Sequence, residues 1–279
     1  MPDAPAGPPQ LPPPVISVKE VGDLKIHTFV SPEVFLANAT HIIESANKLV
    51  LIDGQFIVPF SSQYRAYADG LGKPIDRVYL THAHVDHFFG LGASFADVPI
   101  YALPETAKFL EANGEAMRAD RQKQYGPFVA DKVAFPTNEV AEGDDVVDGV
   151  TYRTKVVTDT ETDYMLTVEV PDQGVYAVGD LVYAGLHVYI TKDTDHWISV
   201  LEGIQESGAS VFLAGHGGAA DAAEVQATID YLGTAAKLFA ANTDPAAYKE
   251  AILAAYPNRG GAAILDIYIP RLYGQAPPE

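Results

Sequence analysis

The sequence predicts a four-layer α/β sandwich formed by a single domain. Three observations predict it: two separate sets of apolar, strand-like runs, helical stretches on either side of each set, and a chain of 279 residues that is 48% hydrophobic, enough for a large core. No internal repeat and no linker beyond residue 15 argues for a second domain.

Residues 1–14 carry seven prolines and read as a disordered or polyproline-like tail ahead of one domain over 15–279. The tail lacks the basic start and apolar centre of a signal peptide. As encoded, the expectation is a cytoplasmic chain, or a periplasmic or secreted one if a signal has been cut away. Leu24–Val30, Val34–Glu44 and Lys48–Asp53 are β-branched and aromatic runs parted by Ser31-Pro32 and Ser45-Ala46-Asn47, the pattern of a strand meander. Phe60–Leu71 reads as a helix ending at Gly70 and Gly72. Asp76–Leu80 is a short buried strand, and a histidine-rich run starts where it stops. Val98–Ala102 is another strand, with helical sequence from Pro104. From about Gly114 to Asp131 the chain is polar, suited to a lid or to a longer helix.

The second strand set is Thr151–Val157, Met165–Val170 and Val175–Val178. Trp197–Glu206, Ser210–Ala214 and Ala220–Ala241 then read as helix, strand and helix. Pro245–Ala255 is a further helix, and the apolar stretch Ile264–Tyr273 either completes the fold or meets a partner subunit. These last segments form a C-terminal helical extension.

Eighteen basic against thirty-seven acidic residues give a net charge of -19. That field repels a phosphate backbone and anionic lipid, so neither nucleic acid nor a membrane is expected as a partner. No apolar stretch approaches the roughly 20 residues of a membrane-spanning helix. The absence of cysteine removes thiolate nucleophiles and thiolate metal sites, leaving His, Asp and Glu as strong ligands.

The chemistry concentrates in Thr81-His82-Ala83-His84-Val85-Asp86-His87. Three of the chain's eight histidines and an aspartate fall within six residues, at the carboxyl end of a strand, where α/β folds keep their sites. On an extended segment His82 and His84 alternate onto one side, Asp86 continues the alternation, and His87 turns toward a second ion. Imidazole and carboxylate suit Zn, Mn or Fe at about 2.0–2.2 Å.

This run resembles the His-x-His-x-Asp-His motif of the metallo-β-lactamase superfamily, and the resemblance extends from about residue 20 to 220. Lys48–Asp53 followed by Gly54 looks like the family's strand ending in Asp-x-Gly or a close variant. Gly179-Asp180 looks like the Gly-Asp that supplies a bridging carboxylate, and Gly215-His216-Gly217 like the loop giving the second ion its last histidine. The resemblance implies an αβ/βα sandwich holding two divalent ions, zinc first, with iron or manganese as alternatives. The implied ligands are His82, His84, Asp86, His87, Asp180 and His216, with Asp53 supporting the histidine loop.

One family element departs. Where a histidine stands in a Gly-His-Thr-Pro-Gly-like loop, this chain has Asp159-Thr160-Glu161-Thr162-Asp163. Aligning Thr162 with the motif threonine puts Glu161 at the histidine position and Pro171 at the family's strand-ending proline. Asp159 or Asp163 could take the role instead, or the loop could be a solvated acidic turn. A carboxylate there is harder than imidazole and makes the ions less electrophilic.

The implied activity is hydrolysis: a metal-held hydroxide attacks an ester, lactone, thioester or amide carbonyl of a small molecule, with Asp86 orienting the nucleophile or taking its proton. His187, a few residues beyond Gly-Asp, is expected near the substrate. Tyr183, Tyr189, His196 and Trp197 are weaker neighbours, while His27 and His41 read as strand histidines. The alternatives are an iron-dependent oxidoreductase of the same fold, a β-lactam hydrolase, and a binding protein with a degraded site.

Overall fold

The computed structural model describes residues 11–191 and 193–275. Residues 1–10 of the proline-rich tail lie outside the described residues, and 11–14 have no regular structure. In chain order the strands are β1 (Val15–Val21), β2 (Leu24–Val30), β3 (Ala39–Glu44), β4 (Leu49–Ile52), β5 (Ile75–Tyr79), β6 (Ile100–Ala102), β7 (Asn138–Glu139), β8 (Gly143–Val147), β9 (Val150–Thr158), β10 (Tyr164–Val170), β11 (Val175–Tyr183), β12 (Val211–His216) and β13 (Ala219–Ala220). The α-helices are α1 (Val58–Gly70), α2 (Val85–Ser94), α3 (Pro104–Tyr125), α4 (Thr194–Gln205), α5 (Ala222–Ala241), α6 (Pro245–Ala255) and α7 (Ala262–Leu272).

Strands β1 to β7 form one sheet in sequence order, antiparallel through β4 and parallel thereafter. The second sheet runs β13-β12-β11-β10-β9-β8, with β11 and β12 parallel. Alternation along the strands separates three apolar cores. Val50 and Ile52 of β4 join Val211 and Leu213 of β12 between the sheets. Leu49 and Leu51 face the other way, onto Phe60 and Tyr64 of α1 and Phe88 and Phe89 of α2. Phe212 and Ala214 meet Trp197 and Leu201 of α4, Leu232 of α5 and Tyr268 of α7. A strand buried on both faces needs apolar residues at every position, which is why these runs lack polar alternation. The layers are therefore helix, sheet, sheet, helix.

Local chemistry sets the helix starts. Asp193, Asp221 and Asp244 each accept backbone N–H groups at the head of α4, α5 and α6. Helix α7 buries Ile264, Leu265, Tyr268, Ile269 and Leu272 within the chain, so the apolar C-terminal stretch completes the fold. The polar region after Gly114 extends α3 to Tyr125.

Several expectations are corrected. Val34–Glu44 is not one strand: Glu33–Phe35 form a single 3-10 turn, and Leu36 and Ala37 take positive φ before β3 begins. The exposed edge strand β1 and the acidic β8 were not expected, because neither carries a buried apolar face. The helical stretch after the histidine run was likewise not expected. Elsewhere the strand and helix ends move by a few residues.

Two contacts lock the sheets together beside the histidine run. Leu166 N in β10 donates to the Thr81 carbonyl at 2.8 Å. His41 of β3 donates from Nε2 to the Ala214 carbonyl of β12 at 2.8 Å and accepts at Nδ1 from the Thr28 hydroxyl. Both hydrogen bonds need a neutral ring. Burial pushes the His41 pKa from 6.5 down to about 4, with the Ala214 carbonyl opposing and the His87 charge assisting. The unfolded chain thus takes up this proton first, and the contribution is present above 6.5 and lost as the pH falls toward 4. Urea unfolding of wild type and His41→Gln is expected to show a stability gap that narrows over that window by on the order of 2–3 kcal/mol; a gap constant with pH would contradict the buried neutral ring.

Candidate metal centre

The run Thr81-His82-Ala83-His84 leaves β5 without regular structure, and His84 (φ −74°, ψ 142°) is the last extended residue before α2. Asp86 and His87 do not continue an extended alternation: both lie in the first turn of α2. The turn carries His87 inward beside His82, with ring centroids 4.3 Å apart. An acidic Asp86 in that turn also complements the positive end of the helix.

Asp180 lies past the expected strand end at Val178, yet the strand continues through it. It sits inside β11, next to Gly179, where the register with β12 shifts and the φ of +52° suits glycine. Across the ladder, Gly215 admits the Asp180 carboxylate against its own backbone, since a Cβ there would lie 1.8 Å from Oδ1. His216 closes β12, and its Nδ1 donates to the Leu36 carbonyl at 2.8 Å. Glu161 occupies the tight connection between β9 and β10, closed by Asp159 N to the Asp163 carbonyl at 3.2 Å. It is 3% exposed, whereas Asp159 and Asp163 are exposed. Pro171 begins the turn that ends β10.

Two groups of potential ligands result: His82, His84, Glu161 and Asp180, and beside them Asp86, His87 and His216. Within each group one ligand atom per residue lies within 4.8 Å of the others. In the first, Nε2 of His82 is 3.7 Å from Asp180 Oδ2 and 3.9 Å from Glu161 Oε2, and His84 Nδ1 is 3.1 Å from Glu161 Oε1. In the second, His216 Nε2 is 3.3 Å and His87 Nε2 3.7 Å from Asp86 Oδ2. Asp180 touches both, 3.1 Å from His216 Nε2 through Oδ2 and 3.2 Å from His87 Nε2 through Oδ1. Tetrahedral ligands at about 2.0–2.1 Å from one ion stand roughly 3.3 Å apart, so these spacings suit shared cations.

The residues fit such ions on a further count. His82 Nε2, His87 Nε2 and Asp180 Oδ1 are buried and have no partner with hydrogen-bond geometry among the described residues. Their opposite ring nitrogens are engaged: Asp53 Oδ2 accepts from His87 Nδ1 at 2.9 Å and from the Thr81 hydroxyl at 2.7 Å, and that hydroxyl accepts from His82 Nδ1 at 2.9 Å. With His216 Nδ1 donating to Leu36, three rings would each turn an Nε2 lone pair toward a bound cation, which would replace the proton on His87 and His216. Three carboxylates, Asp86, Glu161 and Asp180, would balance most of the charge of two divalent ions.

The electrostatics of the cation-free centre agree. Burial, then the His87 charge, holds His82 well below its ordinary pKa. For His87 burial is outweighed by Asp180, Asp86 and Asp53, which raise it well above, and His216 rises through Asp180. Asp180 overcomes burial and falls well below the carboxylate range because His87, His216 and His82 surround it. Protons on His87 and His216 thus occupy the places that cations would take.

Other expected neighbours differ in position. Tyr183 donates to Asp180 Oδ2 at 3.0 Å and stacks on His216, so it belongs to the centre's wall. Tyr189 lies 6.0 Å from His84, ring to ring. His187 is in neither ligand group: its Nδ1 is 3.0 Å from the Tyr231 hydroxyl and its backbone N–H donates to Gly260. That places it in the packing against Tyr231 of α5, outside both ligand groups. Trp197 is core, donating to the Leu181 carbonyl, and His196 is exposed, donating to Thr158. His27 pairs with Glu44 at 2.7 Å in the sheet. Thr81 and the Leu36 carbonyl, which hold the ring nitrogens of His82 and His216, had no role assigned from the sequence. A hydroxyl residue directly before the first histidine was a usable signal for Thr81, whereas no sequence signal marks a backbone carbonyl.

A family model described as the metallo-beta-lactamase superfamily matches residues 34–216. Among solved structures, a metallo-beta-lactamase of Pseudomonas aeruginosa in a mono-zinc form is 18% identical, covers 82% of this chain and 98% of its own, and superposes with a TM-score of 0.61. A metallo-beta-lactamase of Pontibacter korlensis is also 18% identical, over 78% of this chain and 99% of its own, with a TM-score of 0.62. One from Erythrobacter litoralis, with beta-mercaptoethanol in its active site, is 16% identical over 78% of this chain and 96% of its own, with a TM-score of 0.59. At such identities the likeness establishes the fold. No curated protein sequence matches the chain.

Elemental analysis separates the three acids of the β9–β10 connection. Glu161→Ala is expected to lose about one ion per chain, while Asp159→Ala and Asp163→Ala retain the wild-type content. Unchanged content in Glu161→Ala would remove it from the ligand set.

Proposed function

Because the chain belongs to the metallo-beta-lactamase superfamily, we propose that it is a metal-dependent hydrolase of esters, lactones, thioesters or amides of small molecules. The observation that carries this is the pair of adjoining ligand groups meeting at Asp180. Zinc is the first choice of metal, with iron or manganese as alternatives. When bound, a pair of divalent ions would supply Lewis acidity and a water whose pKa falls toward ~7.

The chain's own residues would do the rest. His82, His84 and Glu161 would hold one ion and Asp86, His87 and His216 the other, with Asp180 between them. Asp53, directly and through Thr81, keeps two imidazoles in the ligating tautomer. Tyr183, held protonated by burial and by the nearby Asp180, Glu161 and Asp86 charges, restrains the shared carboxylate. The centre opens at His84, whose side chain is 22% exposed, and at Asp86. Asp86 would orient the attacking water and accept its proton. As the water oxygen adds to the carbonyl carbon, the bond to the leaving oxygen, sulfur or nitrogen breaks, and the proton passes to that atom.

The net charge of -19 supports a small-molecule substrate over nucleic acid or anionic membrane, and no helix among the described residues is long and apolar enough to cross a membrane. The carboxylate of Glu161 favours a second reading, an iron-dependent oxidoreductase, since a harder ligand shifts preference toward iron. Oxygen uptake by the iron-loaded protein distinguishes it. β-Lactam hydrolysis is the remaining alternative.

Metal-loaded protein assayed on lactones, thioesters and β-lactams is expected to hydrolyse at least one carbonyl class. Exhaustive chelation should abolish turnover and metal return should restore it. Asp86→Asn should lower kcat by about 10²- to 10⁴-fold. Full turnover after chelation would end the proposal.

A further inference from the structure

The ring of His216 has two supports. Its Nδ1 donates to the Leu36 carbonyl at 2.8 Å, and one face lies on Tyr183, with ring centroids 4.7 Å apart and planes 7° from parallel. Tyr183 also donates to Asp180 Oδ2 at 3.0 Å. Both supports sit on turns. Tyr183 ends β11, and its carbonyl accepts from Leu186 N at 3.3 Å as the chain reverses. Leu36 and Ala37 take φ of +65° and +48°. Positive φ in residues other than glycine persists only where the surroundings hold it.

The segment joining α6 to α7 supplies that hold, and it lies beyond residue 216, where the family match ends. Arg259, its side chain 11% exposed, donates from Nη1 to the Tyr183 carbonyl at 3.1 Å and to the Leu186 carbonyl at 2.7 Å. Its Nη2 pairs with Glu224 Oε1 at 2.9 Å, the atom that also accepts from Gly185 N. Gly260 N donates to the Gly185 carbonyl at 3.0 Å, and the Gly260 carbonyl accepts from His187 N at 2.9 Å. One residue on, Gly261 N donates to Oε1 of Glu33 at 2.7 Å, and Glu33 opens the turn that carries Leu36. A Cβ at Gly260 would lie 3.1 Å from Leu186 and 3.3 Å from Glu33 Oε2, so glycine permits the close approach. The planar guanidinium fork of Arg259 reaches two carbonyls and a carboxylate at once, which a single ammonium does poorly.

We propose that Arg259 and Glu33 are positioning residues for the second ligand group. Through them the α6–α7 segment clamps two turns against His216, aiming its Nε2 and the Tyr183-held oxygen of Asp180 at a bound cation. Each acts through another residue, Arg259 through Tyr183 and Glu33 through Leu36. The inference deepens the metal-centre reading and does not depend on which substrate is hydrolysed. Outer contacts that orient a ligating histidine are worth about 10- to 100-fold in metal affinity. His82 of the first group takes its support elsewhere, from Asp53 through Thr81. The larger effect therefore falls on the second ion.

The test titrates zinc into the metal-free full chain against a chromophoric chelator, which reads two binding steps. His216→Ala identifies the second step by removing it, and Glu161→Ala identifies the first. Arg259→Met and Glu33→Ala are each expected to weaken the second step by about 10- to 100-fold and the first by no more than a few-fold. Glu33→Gln keeps an oxygen for Gly261 N and should restore wild-type affinity. In a His216→Ala background, Arg259→Met should add no further loss for the remaining ion. Two steps as tight as in the wild type would overturn the proposal. So would equal weakening of both steps in parallel with lost stability in urea, the behaviour of mere fold support.

A readout without metal follows the proton that His216 Nδ1 donates to Leu36. In nuclear magnetic resonance spectra of the metal-free chain it should exchange slowly with solvent in the wild type and faster in Arg259→Met and Glu33→Ala; equal exchange would contradict the clamp. A wild type that binds two ions but hydrolyses nothing sinks only the hydrolase reading. Hydrolysis together with unchanged zinc affinity in both variants sinks only the clamp. A wild type that takes up no metal would overturn both.

Discussion

The centre hangs on one buried carboxylate. Asp180 is 1% exposed and within 3.7 Å of three imidazole nitrogens from two different ligand groups. A buried carboxylate without compensating charge is too costly to persist ionised, several kcal/mol even after relaxation. The surrounding histidines nevertheless hold its pKa well below the usual range. Its oxygens are therefore anionic acceptors in a space where one of them, Oδ1, has no donor in hydrogen-bond geometry among the described residues. Cations shared between the two groups, as proposed, would satisfy all of these groups at once.

The rest of the scaffold keeps that carboxylate and its neighbours in register. A shift in the β11–β12 ladder and a positive φ at Gly179 turn Asp180 inward, and the missing side chain of Gly215 makes room for it. Asp53, at the end of β4, reaches both the strand-end histidine and the helix-borne one through Thr81 and His87. Because these elements belong to different sheets, the cross-sheet bonds from Leu166 to Thr81 and from His41 to Ala214 fix the centre as well as the sandwich. Coupling of this kind means that loosening the sheets would also move the ligands.

Much of this was legible in the sequence, for identifiable reasons. Fully buried strands such as β4 and β12 write themselves as unbroken apolar runs, and the six-residue histidine cluster is dense enough to stand out in a chain with eight histidines. The Glu161 register followed from Thr162 and Pro171, and the structure buries Glu161 while leaving Asp159 and Asp163 exposed. What escaped has physical causes too. β1 and β8 are exposed edges without an apolar face. The switch to helix at Val85 is hidden because the alternating His-x-His pattern runs straight into it. The expected strand stopped at Val178, short of Asp180, because a bulge inside a strand uses the same Gly-Asp chemistry as a turn. The contact of His187 with Tyr231 was not legible, because sequence distance from Asp180 carries no information on where the chain turns after β11.

The claim that two cations share Asp180 is tested most directly by anomalous diffraction from crystals of the metal-loaded protein. The account predicts two peaks per chain. One is bounded by His82, His84 and Glu161, the other by Asp86, His87 and His216, and Asp180 contacts both. Peaks lodged elsewhere, or a fully loaded protein whose Asp180 contacts no metal, would contradict it.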